Sequence, residues 1–174
     1  AQNFTGYKNL MKLVTAGYLE GFYYRPRIDK ELLREYNEGL ICLSGCLKGE
    51  VPEKMLNGDY EGARNAAIEY SEIFLDRYFL EIQNHGIPEE EANIQNMKKL
   101  SSDLGLPLVC TNDAHYCKQS HSEAHDIHIC LGTGKERSDP NRLRYATPEF
   151  YFKTQDEMHH LFKGFPQAIE NTRR

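Results

Sequence analysis

Three short apolar runs constrain the fold of this chain more than any other feature. They are Leu40-Ile41-Cys42-Leu43, Tyr78-Phe79-Leu80-Glu81-Ile82 and Leu106-Pro107-Leu108-Val109-Cys110-Thr111, each bounded by turn formers and followed by a segment with helical periodicity. Strands that alternate with helices read as an α/β protein with parallel strands, because parallel neighbours need a helical crossover between them. The helices are expected over Phe4 to Tyr18, from an Asp29 cap through Tyr36, over Glu53 to Leu56, and from an Asp59 cap to about Leu75. Others are expected from Pro88 to Leu104-Gly105, over Ser120 to Leu131, over Gln155 to Phe162 and over Pro166 to Asn171. Gly21 to Arg27 reads as a loop crowded with aromatics and cations. Three strands are too few to close a barrel, so part of the domain is expected to lie outside these 174 residues.

Composition excludes several classes. A length of 174 residues with 40% hydrophobic residues is enough for a buried core, and no run approaches the roughly 20 apolar residues of a membrane span. The expectation is a soluble, cytoplasmic protein. The net charge of −5 provides no basic stripe of the kind that grips duplex DNA unaided. Five cysteines fall at 42, 46, 110, 117 and 130, an odd number that fits no zinc-ribbon spacing. Reduced and mostly buried thiols are expected, with Cys42 and Cys110 packed inside strands.

In parallel sheets and barrels, sites form at the carboxyl ends of strands. Here the strands end in Ser44-Gly45-Cys46, Gln83-Asn84-His85-Gly86 and Asn112-Asp113-Ala114-His115. Residues two apart on an extended chain share a side, so Asp113 and His115 could reach one metal ion, or could bond to each other and order a loop. Cys46 could join them as a thiolate, or pack as a small buried hydrophobe. Glu81, Gln83 and His85 share a face of the second strand. They either support a site or line a cleft, or mark where the strand reaches solvent. His121, His125 and His128 share a helical face, with a spacing that suits zinc and also an ordinary exposed stripe. His159 and His160 read as surface. No nucleophile elbow, phosphate-binding loop or dinucleotide fingerprint is present.

Several blocks in order resemble one family. They are Gly6-Tyr7-Lys8-Asn9-Leu10-Met11-Lys12-Leu13, Tyr18 through Asp29, Leu43-Ser44-Gly45-Cys46 with Gly49-Glu50, Phe79 through Gly86, Thr111 through Tyr116, Glu123-Ala124-His125-Asp126 and Glu149 through Lys153. Together they resemble the polymerase-and-histidinol-phosphatase (PHP) domain of bacterial DNA polymerase III alpha subunits, in its carboxyl-terminal part. The resemblance implies a distorted seven-stranded, TIM-like β/α barrel, with residues 1–165 in the PHP domain and 166–174 starting the connection to the palm region. It implies a rim of divalent metal ions, zinc or manganese, with Cys46, Asp113 and His115 matching ligand positions. The opening H-x-H ligands would precede Ala1, leaving metal weakly held or absent in this segment. The polymerase carboxylates would follow Arg174, so no catalytic residue of DNA synthesis is expected here. Partners would be the rest of the alpha subunit, DNA through that chain, and a proofreading exonuclease subunit. The domain would be a metal-dependent 3′–5′ exonuclease, or a docking module with a vestigial metal site. A free-standing PHP phosphoesterase is the third reading.

Overall fold

A computed structural model describes all residues, 1–174. The strands are β1 (Cys42–Leu43), β2 (Tyr78–Ile82) and β3 (Leu108–Cys110), and they form one sheet in the order β1-β2-β3. β1 and β2 run parallel, with Cys42 opposite Tyr78 and Leu43 opposite Phe79. The helices are α1 (Phe4–Leu19), α2 (Lys30–Tyr36), α3 (Glu50–Leu56), α4 (Tyr60–Phe74), α5 (Pro88–Leu104), α6 (Ser122–Thr133), α7 (Gln155–Leu161) and α8 (Pro166–Glu170). The α/β class and its parallel strands are as expected. No helix is long and apolar enough to cross a membrane.

The outer strands are shorter than their apolar runs. Leu40 is buried, but its N–H bonds to Asn37 O at 3.1 Å in a turn, so pairing starts only at Cys42. On the third run, Pro107 has no N–H to give the ladder, and its carbonyl instead accepts Leu80 N–H at 2.9 Å. In contrast, α3 starts three residues before the expected Glu53. Gly49 O accepts Glu53 N–H at 2.9 Å, and Pro52 in the first turn costs no hydrogen bond because N–H groups there have no partner within the helix.

The chain comprises two compact units, residues 1–80 with 100–107 and residues 81–99 with 108–174. Of the three boundaries, two fall inside elements, β2 and α5, and the third at the start of β3, so no linker composition marks them. In the first unit, α1 is capped by the Asn3 side chain, which accepts Gly6 N–H at 2.9 Å. A side chain at Gly6 would stand 1.9 Å from Gly39 O, and Gly39 itself needs φ +70°, so the entry to α1 depends on two glycines in contact. The Arg77 guanidinium donates to Asn37 O and Leu40 O at 2.6 and 2.7 Å, which secures the turn before β1. Val51, Ala63, Ala67, Phe74, Tyr78 and Leu80 form its core.

The second unit carries Glu81 and Ile82 of β2, most of α5, β3 and the chain's last 60 or so residues. The α8 end is not a free tail. Ala168 and Asn171 are buried, and the Asn171 side chain donates to Leu108 O at 2.7 Å on β3. Thr154 and Glu157 form a reciprocal capping box that starts α7.

The cysteine expectations are corrected in part. Cys110 and Cys130 are buried, as packing in apolar runs requires. Cys42 is only half-buried, because its strand is two residues long and lies at the edge of the sheet. Cys117 is exposed, since it falls in the turn after β3 rather than in a packed element, and Cys46 is exposed too.

Candidate metal centre

The third strand end is built from backbone outward. After β3, His115 N–H bonds to Phe150 O at 2.8 Å and Phe152 N–H to Tyr116 O at 2.9 Å, so a second extended segment runs alongside in parallel. The Asn112 side chain adds a bond to Tyr151 O at 2.9 Å. The backbone pairing begins at His115, and just before it Ala114 N–H bonds to Asn112 O at 3.0 Å in a tight turn about Asp113, so a turn rather than strand alternation brings Asp113 and His115 together. Asp113 Oδ1 stands 3.1 Å from His115 Nε2, with the side chains 46% and 34% exposed.

Beneath this pair lies His85, 1% exposed. Its Nε2 accepts the Asp113 backbone N–H at 3.2 Å, and its Nδ1 stands 2.8 Å from Glu90 Oε1. Because a backbone N–H can only donate, Nε2 must carry the lone pair. Nδ1 then carries the proton and gives it to the Glu90 carboxylate. The second Glu90 oxygen accepts His85 N–H at 2.6 Å, and the Thr147 hydroxyl donates to His85 O at 2.6 Å. Phe150 stacks on the ring, 4.4 Å between centroids and 5° from parallel. Burial opposes the charge on Glu90, yet the hydrogen bonds from the His85 ring and backbone outweigh it and hold the carboxyl below its usual range. With both nitrogens committed, His85 supports the Asp113 backbone and has no lone pair for an ion.

Glu81 is separate from that arrangement. Its carboxylate accepts the Thr111 hydroxyl in a short contact and the Gln83 amide at 3.4 Å, while Gln83 also reaches Thr111 Oγ1 at 2.9 Å. The three polar residues expected on one face of β2 therefore divide. Glu81 and Gln83 bond to Thr111, the first residue after β3, and His85 bonds to the loop beyond it.

An aromatic wall surrounds His115. The Tyr145 hydroxyl is 3.1 Å from both ring nitrogens, a shared contact weaker than one well-directed bond. His125 packs 5.8 Å from His115, 5.1 Å from Tyr116 and 5.2 Å from Tyr145. Burial, then the neighbouring His115 and His128, push its pKa down. His125 is thus the one member of the histidine stripe drawn towards the site, while His121 and His128 are exposed, as are His159 and His160. Beside this wall opens a cleft of about 450 Å³ lined by Tyr116, Glu123, His125, Asp126, Arg137 and Tyr145. The segment that brings Tyr145 in is anchored to α6 by a two-pronged pair from Arg142 to Asp126, at 2.5 and 2.8 Å.

Cys46 belongs to the first unit, in the turn between β1 and α3. Gly45 takes φ +82° there, and a side chain at Gly49 would stand 2.1 Å from Ser44 O, so the turn is tightly closed. Its exposure removes the reading of Cys46 as a buried hydrophobe. Glu90, Tyr145 and Phe150 were not anticipated. Glu90 is one of three consecutive glutamates that read as an ordinary acidic first turn, and Tyr145 and Phe150 are distant in sequence from everything they touch.

Two ligands on one tetrahedral zinc, each about 2.0–2.1 Å away, stand about 3.3 Å apart. The 3.1 Å between Asp113 Oδ1 and His115 Nε2 fits one ion. No group of three or more His, Cys, Asp and Glu side chains is arranged to hold one, so the pair supplies two positions and no more.

Residues 1–85 match the PHP domain family, and this chain belongs to it. The whole chain is similar to DNA polymerase III subunit alpha from Borreliella burgdorferi, 47% identical over 174 residues, and from Treponema pallidum, 49% identical over 175 residues. It also matches that subunit from Thermus aquaticus, 45% identical over 158 residues, or 91% of this chain. The chain spans 15% of the length of the first two relatives and 13% of the third.

Proposed function

We propose that this chain serves as part of the PHP domain of a replicative DNA polymerase, within a seven-stranded TIM-like barrel, and that Asp113 and His115 hold a divalent metal ion there, zinc or manganese. The observation that carries the reading is the Asp113–His115 pair, 3.1 Å apart on a backbone fixed by a buried histidine and its glutamate. Cys46 forms no three-donor group with this pair, so the remaining ligands in this reading come from elsewhere in the polymerase chain. Residues 166–174 lead towards the palm region. A bound ion would activate water and neutralise phosphate charge, the requirement of a 3′–5′ exonuclease. His85 and Glu90 hold the Asp113 backbone, so that its carboxylate does not have to be ordered when the ion arrives. His115 would ligate through Nε2, the ring nitrogen that lies beside Asp113 Oδ1. DNA synthesis is assigned to the rest of the polymerase chain.

The experiment is a metal titration of the protein followed by calorimetry, with Asp113→Asn and His115→Ala as variants. One zinc or manganese ion per chain, lost in both variants, supports the reading. Equal binding by the variants overturns it. A second reading, a module that docks a separate exonuclease subunit, draws support from the limit of two donors at the site. It predicts no metal dependence at all.

A further inference from the structure

Outside the metal site, the loop after α1 is the most unusual surface of the first unit. Phe22, Tyr23 and Tyr24 follow one another and are 57%, 64% and 82% exposed. Arg25 and Arg27 alternate with Pro26 directly after them, both exposed, and no acidic residue falls between Gly21 and Ile28. Exposed aromatics cost free energy in water, so three in a row require an explanation beyond scattered surface apolarity.

The loop is a built one. Arg27 N–H bonds to Gly21 O at 3.1 Å and closes it, and a side chain at Gly21 would stand 1.9 Å from Arg27 O. Tyr23 N–H bonds to Arg25 O at 3.2 Å across the tip. Tyr24 therefore sits at φ +59°, in the left-handed region that a bulky residue enters only at a cost. Glycine is the residue that would fit this position without strain, yet the chain places there its most exposed tyrosine. The Tyr23 and Tyr24 rings meet edge to face at 4.6 Å, and the Arg27 guanidinium lies 5.3 Å over Tyr23. The nearest acid on the carboxyl side, Asp29, is occupied in capping α2 through Leu32 N–H at 2.9 Å.

We infer that this loop is a docking platform for single-stranded DNA, with Tyr24 and Tyr23 stacking on bases and Arg25 and Arg27 meeting the backbone phosphates. Rigid aromatic faces beside guanidinium groups are what unpaired bases and their phosphates need, and every base has a face to stack. A protein partner would be served by the aromatics alone, whereas the alternating arginines match a polyanion. The choice of DNA over RNA rests on the function proposed above. The platform itself rests on the loop and is independent of the metal site.

The test is fluorescence anisotropy of a labelled oligothymidylate titrated with the protein, with an oligouridylate of equal length as the second arm. Removing a stacking ring in Tyr24→Ala should weaken DNA binding about tenfold. Arg25→Gln with Arg27→Gln should lower the slope of log affinity against log salt by about 1.4, two phosphates' worth for a single strand. Tyr24→Gly separates binding from folding, because it relieves the backbone while removing the ring. Its thermal midpoint should equal or exceed that of the parent while its DNA affinity falls as far as in Tyr24→Ala. Tyr7→Ala, an exposed aromatic on α1, should bind as the parent does. The inference is overturned if the parent does not bind oligothymidylate or binds oligouridylate more tightly. It is also overturned if the Tyr24 variants bind as the parent, or if sedimentation shows that they abolish self-association instead.

Discussion

The ends of β1 and β3 carry the same kind of message in sequence and are held by different physics. After β3, Asp113 rests on a buried histidine whose two nitrogens are both engaged, and whose partner Glu90 is itself buried. After β1, Cys46 rests on a backbone turn closed by two glycines, and its side chain is exposed. A polar group fixed by buried hydrogen bonds is expensive to disturb, because each partner left behind pays its desolvation cost. A side chain on a surface turn is cheap to change. The contrast shows that ligand-like residues in equivalent strand positions need not be equally prepared to bind.

The largest effect expected from that contrast is on stability. Glu90→Ala strands the buried His85 N–H groups, and should cost about 3 kcal/mol in a chemical denaturation series. A loss below about 0.5 kcal/mol would show that water satisfies His85 equally well, and the comparison would fail.

Acid sharpens the same point. The folded Glu90 carboxyl lies below its unfolded value, so its contribution is complete above the unfolded value of about 4.3 and is lost as pH falls through the lower folded one. Glu90→Gln should therefore flatten the acid limb of a stability–pH profile in that window, and leave the neutral region parallel to the parent.

At the surface pair, Asp113→Asn and His115→Ala should change stability by about 1 kcal/mol or less, since both side chains are partly exposed. Both should abolish metal uptake in calorimetry all the same. Binding lost with stability retained is the signature of a ligand pair.

The smallest structural effect belongs to Cys46→Ser, expected within about 0.5 kcal/mol of the parent. Cobalt provides the finer reading. A thiolate-to-cobalt charge-transfer band in the near ultraviolet, lost in Cys46→Ser, would show Cys46 acting as a ligand. Its absence in the parent would leave Asp113 and His115 as the whole of this chain's share.

The division between what was legible and what was not follows the range of the interactions involved. Strand and helix identities were readable, because apolar periodicity, the Asp29 and Asp59 caps and the Pro88 start are local, and local sterics and hydrogen bonds decide them. The nearness of Asp113 and His115 followed from their two-residue separation, although a tight turn at Asp113, rather than alternation along a strand, is what joins them. Family membership was also written in the chain, as blocks of residues in order.

Other features were beyond local reasoning. The runs around β1 and β3 gave no sign of how few residues would pair, since that depends on where neighbouring backbone lies. Nothing near His85 reveals that Phe150, 65 positions later, stacks on its ring, or that Glu90 accepts its Nδ1–H hydrogen bond. His125 and His128 looked alike in sequence, and only packing drew one towards His115 and left the other in solvent. The residue types at the site follow from the sequence itself. Which of them are buried, which nitrogen carries the proton and which lone pairs stay available are set by contacts between distant segments, and those exist only once the chain has folded.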